Sequence, residues 1–229
     1  MKKITLLSIL ASAMLLTTLS AYSLLSIKKG EKIVFFGDSI TQLGNEPGGY
    51  VTLVRDTMAS KYKDFGVEVI GAGISGNKVP DLQARLEKDV LSKNPTTVVI
   101  YIGINDVWHY ALGIGGTPKE KFEAGLKDII GKITSKGARV ILCTPSVVGE
   151  RSDSLNKNDA MLNEYSDISR RVARETKSQL LDLRQAFLDY ELKNNPKQLH
   201  EGVLTRDAVH MNAKGNKFLA GLMLKALLD

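Results

Sequence analysis

The 229-residue sequence holds one cysteine, one tryptophan and three histidines. A lone thiol, Cys143, excludes an internal disulfide and any Cys-x-x-Cys metal or redox site. His109, His200 and His210 show no His-x-His or His-Glu-x-x-His spacing, so neither a zinc site nor another metal is expected. Basic blocks are lacking too. The formal charge of +6 is spread along the chain, and nucleic acid is not an expected partner. There is no internal repeat, low-complexity tract or Pro/Ser-rich linker to divide the body of the chain. What is present is a hydrophobic share of 43%, which rules out a disordered chain and supplies a sizeable core. Cys143 ends the run Val140-Ile-Leu-Cys and reads as a small buried hydrophobe in a strand.

The first residues form a unit of their own. Met1-Lys2-Lys3 precedes an apolar stretch from Ile4 to Leu16, and small residues follow up to Ala21. A positive start, an apolar centre and small residues at the end describe a secretory signal peptide over 1–21. The remaining 22–229 is then a single domain exported to the periplasm or the medium. Apolar character resumes from Tyr22 to Ile27. An uncleaved segment would therefore be a membrane anchor, and membrane contact is expected through that segment alone.

Past the leader, short apolar runs alternate with helical spacing. Strands are expected at Ile33–Phe36, Val67–Ile70, Thr96–Ile102, Ala138–Cys143 and Gln179–Leu183. Helices are expected from Tyr50 to Lys63, along Leu82, Leu86 and Val90, from Phe122 to Ile133, from Asp159 to Lys177 and from Ala213 to Leu228. Five alternations without hairpin signals predict an α/β fold, a three-layer sandwich with a five-stranded parallel sheet. Ligands of such sheets bind beyond the carboxyl ends of the strands. The polar loop from Ser146 to Asn158 is a candidate border for that site.

The residues after each strand carry the chemistry. Ser39, in Gly37-Asp38-Ser39, is placed to be a nucleophile, an anion ligand or a helix cap. Gly71-Ala-Gly73-Ile-Ser-Gly76 spells G-x-G-x-x-G. It follows the second strand rather than the first, however. Pro80 places the helix start past the last glycine, and the next strand ends in Gly-Ile-Asn-Asp rather than a lone acid. A glycine loop whose backbone N–H faces Ser39 is the better reading. Asn105, after the third strand, either shapes a turn or aims its amide at an oxyanion. Trp108 and His109 line a pocket or cover loop surface. Asp207-Ala-Val-His210 is either a solvated turn or the aspartate–histidine half of a serine triad, with Asn212 as cap of the last helix.

Together these blocks resemble the SGNH/GDSL hydrolase family of serine esterases and lipases, in the family's order from Gly37 to His210. The resemblance implies a flavodoxin-like sandwich. It also implies catalysis by Ser39, Asp207 and His210, with an oxyanion hole from the Ser39 and Gly76 N–H groups and the Asn105 amide. No metal or organic cofactor is implied, and Asp38 and Asp106 are expected to hold loop backbone. Ala208 and Met211 stand where many members carry glycine and proline. The substrate is then a small-molecule or glycan ester, with a lean to acetyl esters of carbohydrate. Other readings are a lysophospholipase or general acyl esterase, and a non-catalytic carbohydrate- or cofactor-binding module. The G-x-S-x-G elbow of ordinary α/β-hydrolases is absent.

Overall fold

Each apolar run becomes a strand of one parallel sheet in the computed structural model, which describes residues 27–152 and 155–229. The expected leader lies outside those residues. The strands are β1 (Lys32–Gly37), β2 (Glu68–Gly73), β3 (Thr97–Tyr101), β4 (Arg139–Cys143) and β5 (Gln179–Leu181). Their spatial order is β2-β1-β3-β4-β5, and every pairing is parallel. β1 and β3 lie inside the sheet, where Val34, Phe35, Val99 and Ile100 are buried. Continuous Val/Ile-rich runs suit strands covered on both faces.

Eight α-helices surround the sheet among the described residues: α1 (Ser39–Gly44), α2 (Tyr50–Lys61), α3 (Val79–Asp89), α4 (Ile104–Ala111), α5 (Lys119–Ser135), α6 (Asp159–Thr176), α7 (Leu183–Asn194) and α8 (Ala213–Leu228). From β1 the chain crosses one way to β2, then steps back through β3, β4 and β5. Right-handed crossovers therefore put α2 on one face and α3, α5 and α6 on the other. α2 packs against α8, and α5 packs between α3 and α6. The stripe of Phe122, Leu126, Ile129, Ile130 and Ile133 is the buried face of α5. Cys143 is fully buried in β4.

Three local differences from the sequence expectation have physical causes. β2 continues through Gly71 and Gly73, because α1 lies across its end. A Cβ on Gly73 would fall 2.1 Å from the Gln42 nitrogen, so only glycine permits that approach. Those glycines serve packing, which accounts for the nucleotide-like spelling. The segment after Asn105 is helical (α4), and Trp108 and His109 lie on that helix instead of a loop. β5 stops at Leu181, because the Asp182 side chain accepts the Gln185 N–H at 3.1 Å and starts α7.

Candidate active site

The chain reverses its direction of travel across the sheet between β1 and β3, and the carboxyl ends of these strands face the crevice. Gly37 ends β1, Asp38 caps α1 and Ser39 is its first residue. The Asp38 carboxylate accepts the Ile40 N–H at 2.9 Å. The cap is thus Asp38, which frees the Ser39 hydroxyl for another partner. Burial pushes the Asp38 carboxyl up to about 7, against the Ile40 hydrogen bond, and nearby Asp106 adds to the rise.

Just past β2, a tight turn runs from Ile74 to Asn77 and closes with the Asn77 N–H on the Ile74 carbonyl at 3.3 Å, and the Ile74 N–H donates to the Gly37 carbonyl at 3.2 Å. Gly76 is its third residue, with φ +77°, a conformation that favours glycine. The turn is tied to α1 through the Ser75 N–H, which donates to Gln42 Oε1 at 2.6 Å. Asn105 lies in the first turn of α4, 3% exposed, and its Nδ2 donates to the Asn77 carbonyl at 3.1 Å. One amide hydrogen is used in that bond; the amide has a second donor for a ligand. The neighbouring Asp106 accepts the Val79 N–H at 3.1 Å, the loop-holding role expected for it. Burial pushes its carboxyl up to about 6.

The third component comes from the loop before α8. Asp207 Oδ1 accepts the His210 N–H at 2.7 Å and the Val209 N–H at 3.2 Å. Its Oδ2 lies 2.8 Å from His210 Nδ1, and His210 Nε2 lies 2.9 Å from Ser39 Oγ. Burial alone would raise the Asp207 carboxyl, but the bonds from the His210 backbone and ring outweigh it and hold it below its ordinary value. A carboxylate on Nδ1 favours the tautomer whose Nε2 accepts the Ser39 proton. Asn212 caps α8 through the Lys214 and Gly215 N–H groups, each at 2.9 Å. Ala208 adopts φ +68°, a left-handed conformation that favours glycine. The Asp207–His210–Ser39 line, the turn that carries Gly76 and Asn105 therefore meet beyond the carboxyl ends of β1, β2 and β3, where the Ser39 hydroxyl has an imidazole as its base. That combination can carry out acyl transfer.

A partly buried arginine and a fully buried glutamate hold the surrounding backbone and carry no motif. Arg85 of α3 donates from Nη2 to the Gly37 carbonyl at 2.7 Å, from Nη1 to the Ala72 carbonyl at 3.0 Å and from Nε to Asn77 Oδ1 at 2.7 Å. Glu150, fully buried, accepts the backbone N–H groups of Val203, Leu204 and Thr205, the first at 2.7 Å and the third at 2.8 Å. The adjacent Gly149 N–H donates to the Ala208 carbonyl at 2.8 Å. Neither charge stands out in the sequence, since Arg85 lies among Gln83, Glu87 and Lys88 and Glu150 is followed by Arg151 and Ser152.

Size is a poor guide to the site. A groove of about 740 Å³, lined among others by Leu155, Arg184 and Leu192, touches none of the five converging residues. A smaller one of about 370 Å³ lies between Trp108, Val148 and His200. The loop expected to border the site is buried from Ser146 to Glu150, and its outer part lines both grooves.

Sheet order, hydroxyl, imidazole and amide donors define a serine hydrolase of the flavodoxin-like three-layer type. Residues 35–218 match the model of the GDSL-like lipase/acylhydrolase family, and the chain belongs to that family. It is a carboxylic ester hydrolase. An acetylxylan esterase of Geobacillus stearothermophilus is 33% identical over 89% of this chain and 96% of its own length. The isoamyl acetate-hydrolyzing esterase 1 homolog of Mus musculus is 28% identical, covering 86% of this chain and 81% of that one. The crystal structure of an acetyl xylan esterase, AlAXEase, superposes with a TM-score of 0.84 at 48% identity, over 86% of this chain and all of that one. Solved structures of the Geobacillus enzyme include catalytic mutants in which a serine, an aspartate or a histidine is replaced by alanine.

Proposed function

We propose that the protein is an exported deacetylase of acetylated xylo-oligosaccharides that works through Ser39, His210 and Asp207. The observation that carries the mechanism is the continuous line from Asp207 through His210 to Ser39, with contacts of 2.8 and 2.9 Å. His210 Nε2 takes the Ser39 proton as Oγ attacks the acetyl carbonyl. The Ser39 and Gly76 N–H groups and the Asn105 amide receive the developing oxyanion. Collapse expels the sugar hydroxyl, which takes its proton from His210, and leaves acetyl on Ser39. Water, deprotonated by His210, then attacks the acetyl-serine, and acetate leaves.

The acyl group has broader support than the alcohol. The xylan-directed and the isoamyl-directed relatives are both named for acetate esters, while their alcohols differ in kind. Acetylated xylo-oligosaccharide is favoured because acetylxylan esterases supply the higher identities, 33% and 48%, with 96% and all of their own lengths covered. Acetate release from acetylated xylo-oligosaccharides, compared with nitrophenyl esters of two to eight carbons, tests the reading. It expects the highest kcat/KM on the acetyl oligosaccharide and a steep fall with acyl length. A preference for long acyl chains or lysolipids would contradict it. Export rests on the 1–21 segment, and N-terminal sequencing of cell-free protein should begin near Tyr22. A membrane-bound product retaining Met1 would make the segment an anchor instead.

A further inference from the structure

All three proposed oxyanion donors hang from backbone that one partly buried cation holds. Arg85 lies with its guanidinium over the Phe36 ring, 4.6 Å from the centroid. That stacking sets its plane across the ends of β1 and β2. There Nη2 and Nη1 bind the carbonyls of Gly37 and Ala72, at 2.7 and 3.0 Å. Gly37 leads directly into Asp38 and Ser39. Nε binds Asn77 Oδ1 at 2.7 Å, at the end of the turn that presents Gly76. The Asn77 carbonyl in turn receives Asn105 Nδ2 at 3.1 Å. Asp89 neutralises the cation from one helical turn away, at 3.0 Å.

We infer that Arg85 is the positioning residue of the oxyanion hole, acting through Gly37 on Ser39 and through Asn77 on Gly76 and Asn105. The inference rests on the active-site reading above. A planar fork suits the task, because it grips divergent acceptors simultaneously, whereas an ammonium on a flexible stem fixes no such geometry. Oxyanion donors act where charge develops in the transition state, so their misplacement lowers kcat more than it changes KM. Displacements on the order of 1 Å are enough to cost about 10²-fold in rate.

The experiment is steady-state kinetics on 4-nitrophenyl acetate for Arg85→Lys, Asn77→Ala, the double variant and Ser39→Ala, with folding checked by thermal melting. Arg85→Lys keeps the charge opposite Asp89 and should lower kcat by about 10–100-fold per folded molecule, with KM within about threefold. Asn77→Ala keeps the backbone carbonyl that Asn105 needs. It should lower kcat in the same manner, and adding it to Arg85→Lys should cost less than the product of the two effects. Wild-type kcat in either folded single variant overturns the inference, as does a double variant in which the two losses simply multiply. If Arg85→Lys does not fold, Asn77→Ala decides alone. Ser39→Ala separates the two levels. If it is inactive while Arg85→Lys and Asn77→Ala are normal, only the Arg85 role fails. If it is active, the active-site reading fails and the Arg85 role with it.

Discussion

At the scale of single residues, side-chain chemistry and backbone conformation make separate demands. Asn105 shows the first. Its carbonyl-bound Nδ2 fixes the amide, and replacing it by alanine removes the donor proposed for the oxyanion. Asn105→Ala should lower kcat by roughly 10²–10³-fold with little change in KM. Steady-state kinetics with active-site titration checks this, and a folded variant with wild-type kcat would refute the donor role. Ala208 shows the second demand. Its φ of +68° costs a non-glycine residue roughly 1–2 kcal/mol. In Ala208→Gly, relief of that strain is offset by roughly 0.4–1 kcal/mol of greater unfolded-chain entropy, besides the loss of a buried methyl. Thermal melting should show little change and kcat should hold. Ala208→Val adds a β-branched side chain to the same conformation, and both melting temperature and kcat should fall. A valine variant as stable and active as wild type would contradict this account of the turn.

At the scale of elements, the loop bearing Asp207 and His210 is held from outside itself. Glu150 alone receives three consecutive backbone N–H groups just before that loop, from residues 53 to 55 positions away. Glu150→Ala leaves these donors buried and unpaired, at about 1–3 kcal/mol each if no water enters. The urea midpoint should fall by an amount worth at least ~3 kcal/mol, and an unchanged midpoint would contradict the assignment. Distance along the chain also explains what was legible beforehand. Ser39, Asn105 and the Asp207–His210 pair each sit in a short motif placed by a strand end or a helix start, so local pattern located them. Arg85 reaches Gly37 across 48 positions, and Glu150 reaches farther still. Nothing local specifies such partners. Helix α4 goes unannounced because an asparagine just past a strand fits a turn as well as an amide donor. Gly103, at φ +121°, instead precedes a helix whose first-turn residues are buried. Helix α7 was hidden because Leu183 continued an apolar run, and only the Asp182 cap marks the boundary.

At the scale of the whole molecule, buried acids set how stability follows pH. Burial raises Asp106 to about 6, Asp38 to about 7 and Glu191 to about 8, and the neighbouring Glu150 adds to the rise at Glu191. Between the ordinary carboxylate values and these raised ones, the folded chain binds protons that the unfolded chain has lost. Stability therefore falls as pH rises through that window. Glu123, at about 2, and Asp207 are lowered, and their contribution is lost instead as pH falls through their folded values. Chemical denaturation should find the protein more stable at pH 5 than at pH 8, and Glu191→Gln should flatten the decline. A Glu191→Gln variant with an undiminished decline would contradict the buried-acid account. The same sheet that buries these acids brings a serine from the end of β1 to a histidine 171 positions later. Covalent capture tests that central convergence most directly. A fluorophosphonate should modify one serine, mapped by peptide mass spectrometry to Ser39, and His210→Ala should slow the labelling severely. An adduct on Ser75 with Ser39 unmodified, or labelling indifferent to His210, would contradict the account.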